Sequence, residues 1–236
     1  MKRTLGFAVL IWILAADLTC AGDYKMVEGA FIEICEAYLK NLNAFSGTPL
    51  VVCERPVHPK FKDFSTPQWE QLDVLQHLDL LKIVEQKVSP SWTENDYLSG
   101  KWEARVKRNL QEREFTLSTV RLDINRDGIV EQVIRYQSAG CKQGDITTHF
   151  HSGVSFVVMQ EDGLRVDDEK TRRVNILTGR PELFLYKDRV FLDLWAGELG
   201  EDERYGQLMV YDITSPTGGV PCQYKYMKAN SRRKPQ

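Results

Sequence analysis

At Phe115 the hydrophobic rhythm of the chain changes, and this change restricts the fold more than any other feature of the sequence. Upstream, apolar residues recur at helical spacing; downstream, they alternate or form short runs. Seven strands are predicted: Phe115–Leu122, Val130–Gln137, Val154–Gln160, Glu182–Tyr186, Val190–Leu194, Gln207–Tyr211 and Gln223–Met227. The turn formers Asp127-Gly128, Asp162-Gly163, Lys187-Asp188 and Thr217-Gly218-Gly219 separate them. Such close spacing suits antiparallel hairpins in a meander better than βαβ units.

Upstream, Val27, Ala30, Phe31, Ile34, Cys35, Tyr38, Leu39 and Leu42 form one apolar stripe and predict a helix of four turns. Thr66-Pro67 supplies a hydroxyl N-cap and a proline at the first helical position. A second helix is therefore expected from there to Ser89-Pro90, with Trp69, Leu72, Leu75, Leu78, Leu81 and Val84 inward. A third is expected over Lys101–Gln111, with Trp102, Val106 and Leu110 buried and Arg105, Lys107 and Arg108 on a solvated face. The expected class is α+β, a helical N-terminal half packed on a C-terminal antiparallel β-meander. The divisions are 1–21, 22–112, 113–228 and a basic tail, 229–236.

The N-terminus reads as an export signal. Lys2 and Arg3 precede the apolar run Leu5–Leu14, and small residues at Thr19 and Ala21 set a cleavage site after Ala21. The run is about half the ~20 residues needed to span a bilayer, and no later stretch is long enough. Cys20 opens the alternative of a lipid anchor. Cleavage removes a net +1 and moves the formal charge from −2 to −3, so there is no basic excess for a nucleic-acid backbone. A periplasmic or secreted location is expected.

Beyond the signal stand Cys35, Cys53, Cys141 and Cys222, an even number that suggests two disulfides in an exported chain. Three pairings exist. Locality favours Cys35–Cys53, stapling a loop onto the first helix, together with Cys141–Cys222. No CxxC or paired Cys/His spacing points to zinc or redox chemistry.

The segment 119–136 carries the strongest chemical pattern. Asp123, Asn125, Asp127, Gly128 and Glu131 make D-x-N-x-D-G-x-x-E. Calcium takes six to eight oxygen ligands, and alternate side chains of a tight loop can aim oxygens at one centre. The carbonyl of Ile129 is a further candidate ligand, and Glu131 would close the shell. An EF-hand needs a bidentate Glu at loop position twelve, which here is Ile134. With strands on both sides, the segment resembles the strand–loop–strand calcium hairpins of FG-GAP and VCBS repeats. A metal-free turn explains the same residues, because Asp, Asn and Gly are also turn formers.

Other polar groups carry weaker patterns. His149 and His151 share one face of an extended segment but lack an evident third ligand. His58 and His77 read as structural. Asp193 and the acids Glu198–Glu203 suggest carboxylate chemistry on a polysaccharide, which needs a defined separation across a sugar site. No nucleophile elbow, phosphate loop or dinucleotide fingerprint is present.

Across its length the chain resembles a group of exported proteobacterial proteins. The resemblance rests on Cys35 with Leu42-Asn43, Cys53-Glu54-Arg55, Pro67-x-Trp69, the Asp123–Glu131 loop, Leu185-Tyr186-Lys187-Asp188 and Cys222-x-Tyr224. It implies compartment, disulfides and layout, and no activity. The expected function is a non-enzymatic exported binding protein with a protein partner and a structural calcium clip. The alternative is a hydrolase of cell-envelope polymer using Asp193 and Glu198.

Overall fold

Side-chain alternation along the strands shows how the layers stack. In the computed structural model, which describes residues 23–45, 57–88, 93–112, 115–138, 153–175, 180–195, 207–214 and 219–227, strands β7 (Arg180–Tyr186) and β8 (Arg189–Trp195) are buried on both faces. Phe184, Tyr186 and Phe191 point to one side, and Leu183, Val190, Leu192 and Leu194 to the other. The same holds for β4 (Phe115–Leu122), β5 (Glu131–Ser138) and β6 (Val154–Met159). Val154, Phe156 and Val158 face the cluster shared with Leu192, whereas Val157 and Met159 face a third one.

Three cores therefore separate four layers. Helix α1 (Glu33–Asn43) covers a six-stranded antiparallel sheet. That sheet has the order β1 (Asp23–Glu28), β10 (Gly219–Met227), β9 (Gln207–Asp212), β8, β7, β2 (Phe64–Ser65). Its other face packs on a four-stranded sheet with the order β3 (Glu70–Gln71), β4, β5, β6. Helices α2 (Leu78–Val88) and α4 (Lys101–Gln111) close the far side, and α3 (Glu94–Leu98) leads into α4. Helix α5 (Asp168–Val174) follows β6 and lies along its edge.

This corrects the expected α+β class. Among the described residues the chain is mostly β with five short helices, and they show no helical N-terminal half. Its first described strand, β1, pairs with β10 near the other end of the chain, in the register Tyr24↔Tyr226. The predicted first helix begins only at Glu33, because Gly29 and Phe31 both take positive φ, of 98° and 70°. Val27 and Phe31, expected on the buried stripe, are exposed. The second helix begins at Leu78, not at Thr66. Pro67 is instead buried in the extended crossing that takes the chain from β2 in one sheet to β3 in the other.

The disulfide also differs from the expected pairings. Cys35 on α1 bonds Cys222 on β10, with Cα atoms 5.3 Å apart, and not Cys53. Cys53 and Cys141 lie outside the described residues, as does the signal. The bond closes a span of 187 residues, worth about 5 kcal/mol in the loop-entropy model, against about 3 for a short loop.

Arg105 is not on a solvated face. It donates to both carboxylate oxygens of Glu85 on α2, each at 2.8 Å, and Glu85 is only 2% exposed. The Trp102 indole N–H (2.7 Å) and the Tyr136 hydroxyl (3.2 Å) complete the shell. One buried carboxylate thus joins both outer helices to the four-stranded sheet. Burial, reinforced by the Glu85 charge, pushes the Tyr136 phenol far above its usual range.

Candidate functional site

The loop between β4 and β5 starts from a fixed point. Ile124 is fully buried between the two sheets, so its neighbours Asp123 and Asn125 belong to the loop's own interior. Arg126 and Gly128 take φ of 62° and 85° and turn the chain back on itself. The left-handed geometry at position 128 suits glycine, which has no Cβ to clash.

Backbone N–H groups then orient the acids. Gly128 donates to Asp123 Oδ2 at 3.0 Å, and Ile129 donates to Asp127 Oδ1 at 2.8 Å. Asn125 Nδ2 donates to Asp127 Oδ2 at 2.8 Å. Two acceptors receive nothing: Asp123 Oδ1 and Asn125 Oδ1 are buried without a hydrogen-bond partner. Unpartnered buried acceptors are costly, on the order of 1–3 kcal/mol each, unless a cation or donor reaches them.

Glu131 is placed differently from the other predicted ligands. Its side chain is buried, Oε2 accepts the Ile124 N–H at 3.0 Å, and Oε1 pairs with the Lys170 ammonium of α5. Lys170 also reaches Asp127 Oδ2 at 3.4 Å. Burial alone would depress the Lys170 ammonium, but the hydrogen bond to Glu131 and the charges of Glu131 and Asp127 outweigh it and hold its pKa above the usual value. Asp127 is held low, first by the Asn125 hydrogen bond and then by the Ile129 N–H and Lys170.

Of the five predicted ligands, the structure therefore gathers Asp127 and Glu131 round an ammonium and leaves oxygens of Asp123 and Asn125 free. Among the described residues, no three Asp, Glu, His or Cys side chains are grouped so as to hold a metal ion. A cation here would need the Asn125 oxygen and the backbone carbonyl of Ile129. Sequence reasoning missed Lys170 altogether. It sits in a polar run on a helix 39 residues beyond Glu131, and no local pattern links the two.

The remaining candidates sort plainly. Asp193 is 2% exposed in the middle of β8, where it accepts a 2.6 Å hydrogen bond from the Tyr38 hydroxyl of α1. His58 donates its backbone N–H to Asn41 Oδ1 and packs between Phe45 and Phe61. His77 lies against the Asp73 carbonyl, with 2.9 Å from Nδ1 to the oxygen. His149, His151 and the acids 198–203 lie outside the described residues.

Among the described residues, no helix is long and apolar enough to cross a membrane, and the disulfide fits an exported protein. No family model, no curated protein and no solved structure matches the chain.

Proposed function

We propose that this chain is a periplasmic or secreted protein that works by binding a protein partner, with a calcium ion as a structural clip in its 123–131 loop. The observation that carries the clip is the pair of buried, donor-less oxygens, Asp123 Oδ1 and Asn125 Oδ1, in a loop whose other carboxylate oxygens accept from backbone N–H groups, the Asn125 amide or the Lys170 ammonium. A divalent cation bound by these oxygens, the Ile129 carbonyl and water would remove their desolvation cost. Affinity in the range of extracellular modules, roughly 10⁻⁴–10⁻³ M, would make the ion a fixed part of the fold outside the cell.

Binding is favoured over hydrolysis because Asp193, one of the two acids on which a hydrolase would rest, is inaccessible; Glu198 lies outside the described residues. Asp193 is enclosed between α1 and the sheet with its carboxylate on Tyr38. A general acid or base must reach the proton it transfers. The placement of β1 also favours a free chain over a lipid anchor. Only Ala21 and Gly22 separate Cys20 from Asp23, a reach of about 10 Å, which would seat the sheet edge close to the bilayer.

Thermal melting in millimolar calcium and in chelator tests the clip. The native chain should melt higher in calcium, and Asp123→Ala should abolish the difference. Superimposable native curves would remove calcium from the proposal.

A further inference from the structure

The loop joining β1 to α1 holds an aromatic residue where folding has no use for one. Phe31 is 95% exposed and sits in the left-handed region at φ 70°. A bulky side chain is rare in that conformation, and the apolar ring gains nothing from water. Glycine or asparagine would occupy the position at lower cost.

The conformation is also locked. The Ile32 N–H closes a turn on the Gly29 carbonyl at 3.1 Å, and the Ile32 carbonyl accepts the first N–H groups of α1, from Cys35 (2.9 Å) and Glu36 (3.1 Å). Gly29 lies so close to β10 that a Cβ there would stand 2.2 Å from the Pro221 carbonyl oxygen and 2.7 Å from the Cys35 sulfur. The disulfide fixes both sides of this contact. Strain that the surroundings overdetermine, at a solvent-facing residue, is a sign of use and not of folding.

Val27 and Ile32, close to Phe31 in sequence, are exposed as well, and exposed Glu28 and Glu36 stand on either side in sequence. Glu33 is already taken by Lys187 and Tyr186. A rigid aromatic knob flanked by carboxylates suits a pocket with a basic rim, because an aromatic anchor loses little entropy on burial and rim charges select the partner. The same carboxylates would be repelled by an anionic lipid surface.

We infer that Phe31 is the preformed anchor of a docking site for another protein, one that presents an apolar pocket rimmed by lysine or arginine. This rests on the reading of the chain as a binding protein and is independent of the calcium loop.

The test places a photoreactive benzoylphenylalanine at position 31 of the full chain, and at Leu98, an apolar residue that is also strongly exposed, as a control, in the cells that export it. Illumination should give one discrete protein adduct from position 31 and none from 98. The yield should fall about tenfold when Glu28 and Glu36 are both changed to Lys, reflecting lost charge complementarity. Phe31→Asn should melt no lower than the native chain. The inference is overturned by equal adducts from both sites, by a self-adduct, a lipid adduct or none, by an adduct indifferent to the charge reversal, or by a lower melting point for Phe31→Asn. Loss of the calcium effect would leave all these outcomes unchanged, so the two readings fail separately.

Discussion

The side-chain amide of Asn43 closes a two-bond ring on the backbone of Tyr24: Nδ2 donates to the Tyr24 carbonyl at 3.0 Å, and Oδ1 accepts the Tyr24 N–H at 2.8 Å. Tyr24 lies on β1, the outermost strand of the six-stranded sheet. Asn175 does the same to Phe156 on β6, the outermost strand of the other sheet, and the Thr171 hydroxyl engages Val158 beside it. Each carboxamide imitates a peptide of the strand that would otherwise come next, and so blocks the edge against pairing with another chain.

Asn43→Ala should therefore do two things at once. It should cost about 1–2 kcal/mol in urea unfolding, because two partly buried backbone groups lose their partners. It should also raise the associated fraction seen by light scattering. Asn43→Asp should not rescue either property, since a carboxylate sets an acceptor against the Tyr24 carbonyl. A monomeric Asn43→Ala of native stability would show that the edge needs no block.

Glu85 yields a sharper energetic prediction. Its carboxylate is buried, and Arg105, Trp102 and Tyr136 all donate to it. Removing the carboxylate strands the guanidinium and two buried donors, so Glu85→Ala should destabilise by about 3–5 kcal/mol. Replacing Glu85 and Arg105 together by Leu and Met should recover most of the loss, because no unpaired charge remains. A double variant as unstable as the single one would mean that packing, not charge, is what Glu85 supplies.

The disulfide should be visible chemically. A non-reducing digest should yield a linked peptide containing Cys35 and Cys222, and none linking Cys35 to Cys53. Cys35→Ala with Cys222→Ala should lower stability by about 2–5 kcal/mol, measured by urea unfolding without reductant. Unchanged stability would place the constraint in the sheet pairing of β1 with β10 alone.

The chain hides its global pairing better than its local elements. Strand β4 runs over Phe115–Leu122, as its alternation implies, and α4 over Lys101–Gln111. These are segments where period and burial act within a dozen residues. The pairing of Asp23–Glu28 with a strand some two hundred residues away leaves no such trace, and the helical stripe of α1 reads smoothly back through Phe31 because periodicity ignores φ. Locality also misled the cysteines: sheet closure, not loop length, brings Cys35 to Cys222. At the candidate site the acids of the loop are legible and Lys170 is not, since only the docking of α5 on β6 delivers it.

Lys170 allows the final prediction, in which two cations are set against each other. Its folded pKa lies above 10.5 and that of Asp127 below 3.8. Lys170 therefore contributes stability that is complete below about pH 10.5 and is lost as pH rises through the folded value. Asp127 contributes stability that is complete above about pH 3.8 and is lost as pH falls through its folded value. Lys170→Met should abolish the alkaline loss. In chelator it should also destabilise the protein near neutrality by about 2–3 kcal/mol, because Glu131 keeps only the Ile124 N–H. Calcium then has more to neutralise, so its stabilising shift should be larger in Lys170→Met than in the native chain. Urea unfolding of both proteins, with calcium and with chelator at neutral and alkaline pH, measures each term. A smaller calcium shift in the variant would mean that Lys170 does not compete with the ion and that the loop oxygens answer to something else.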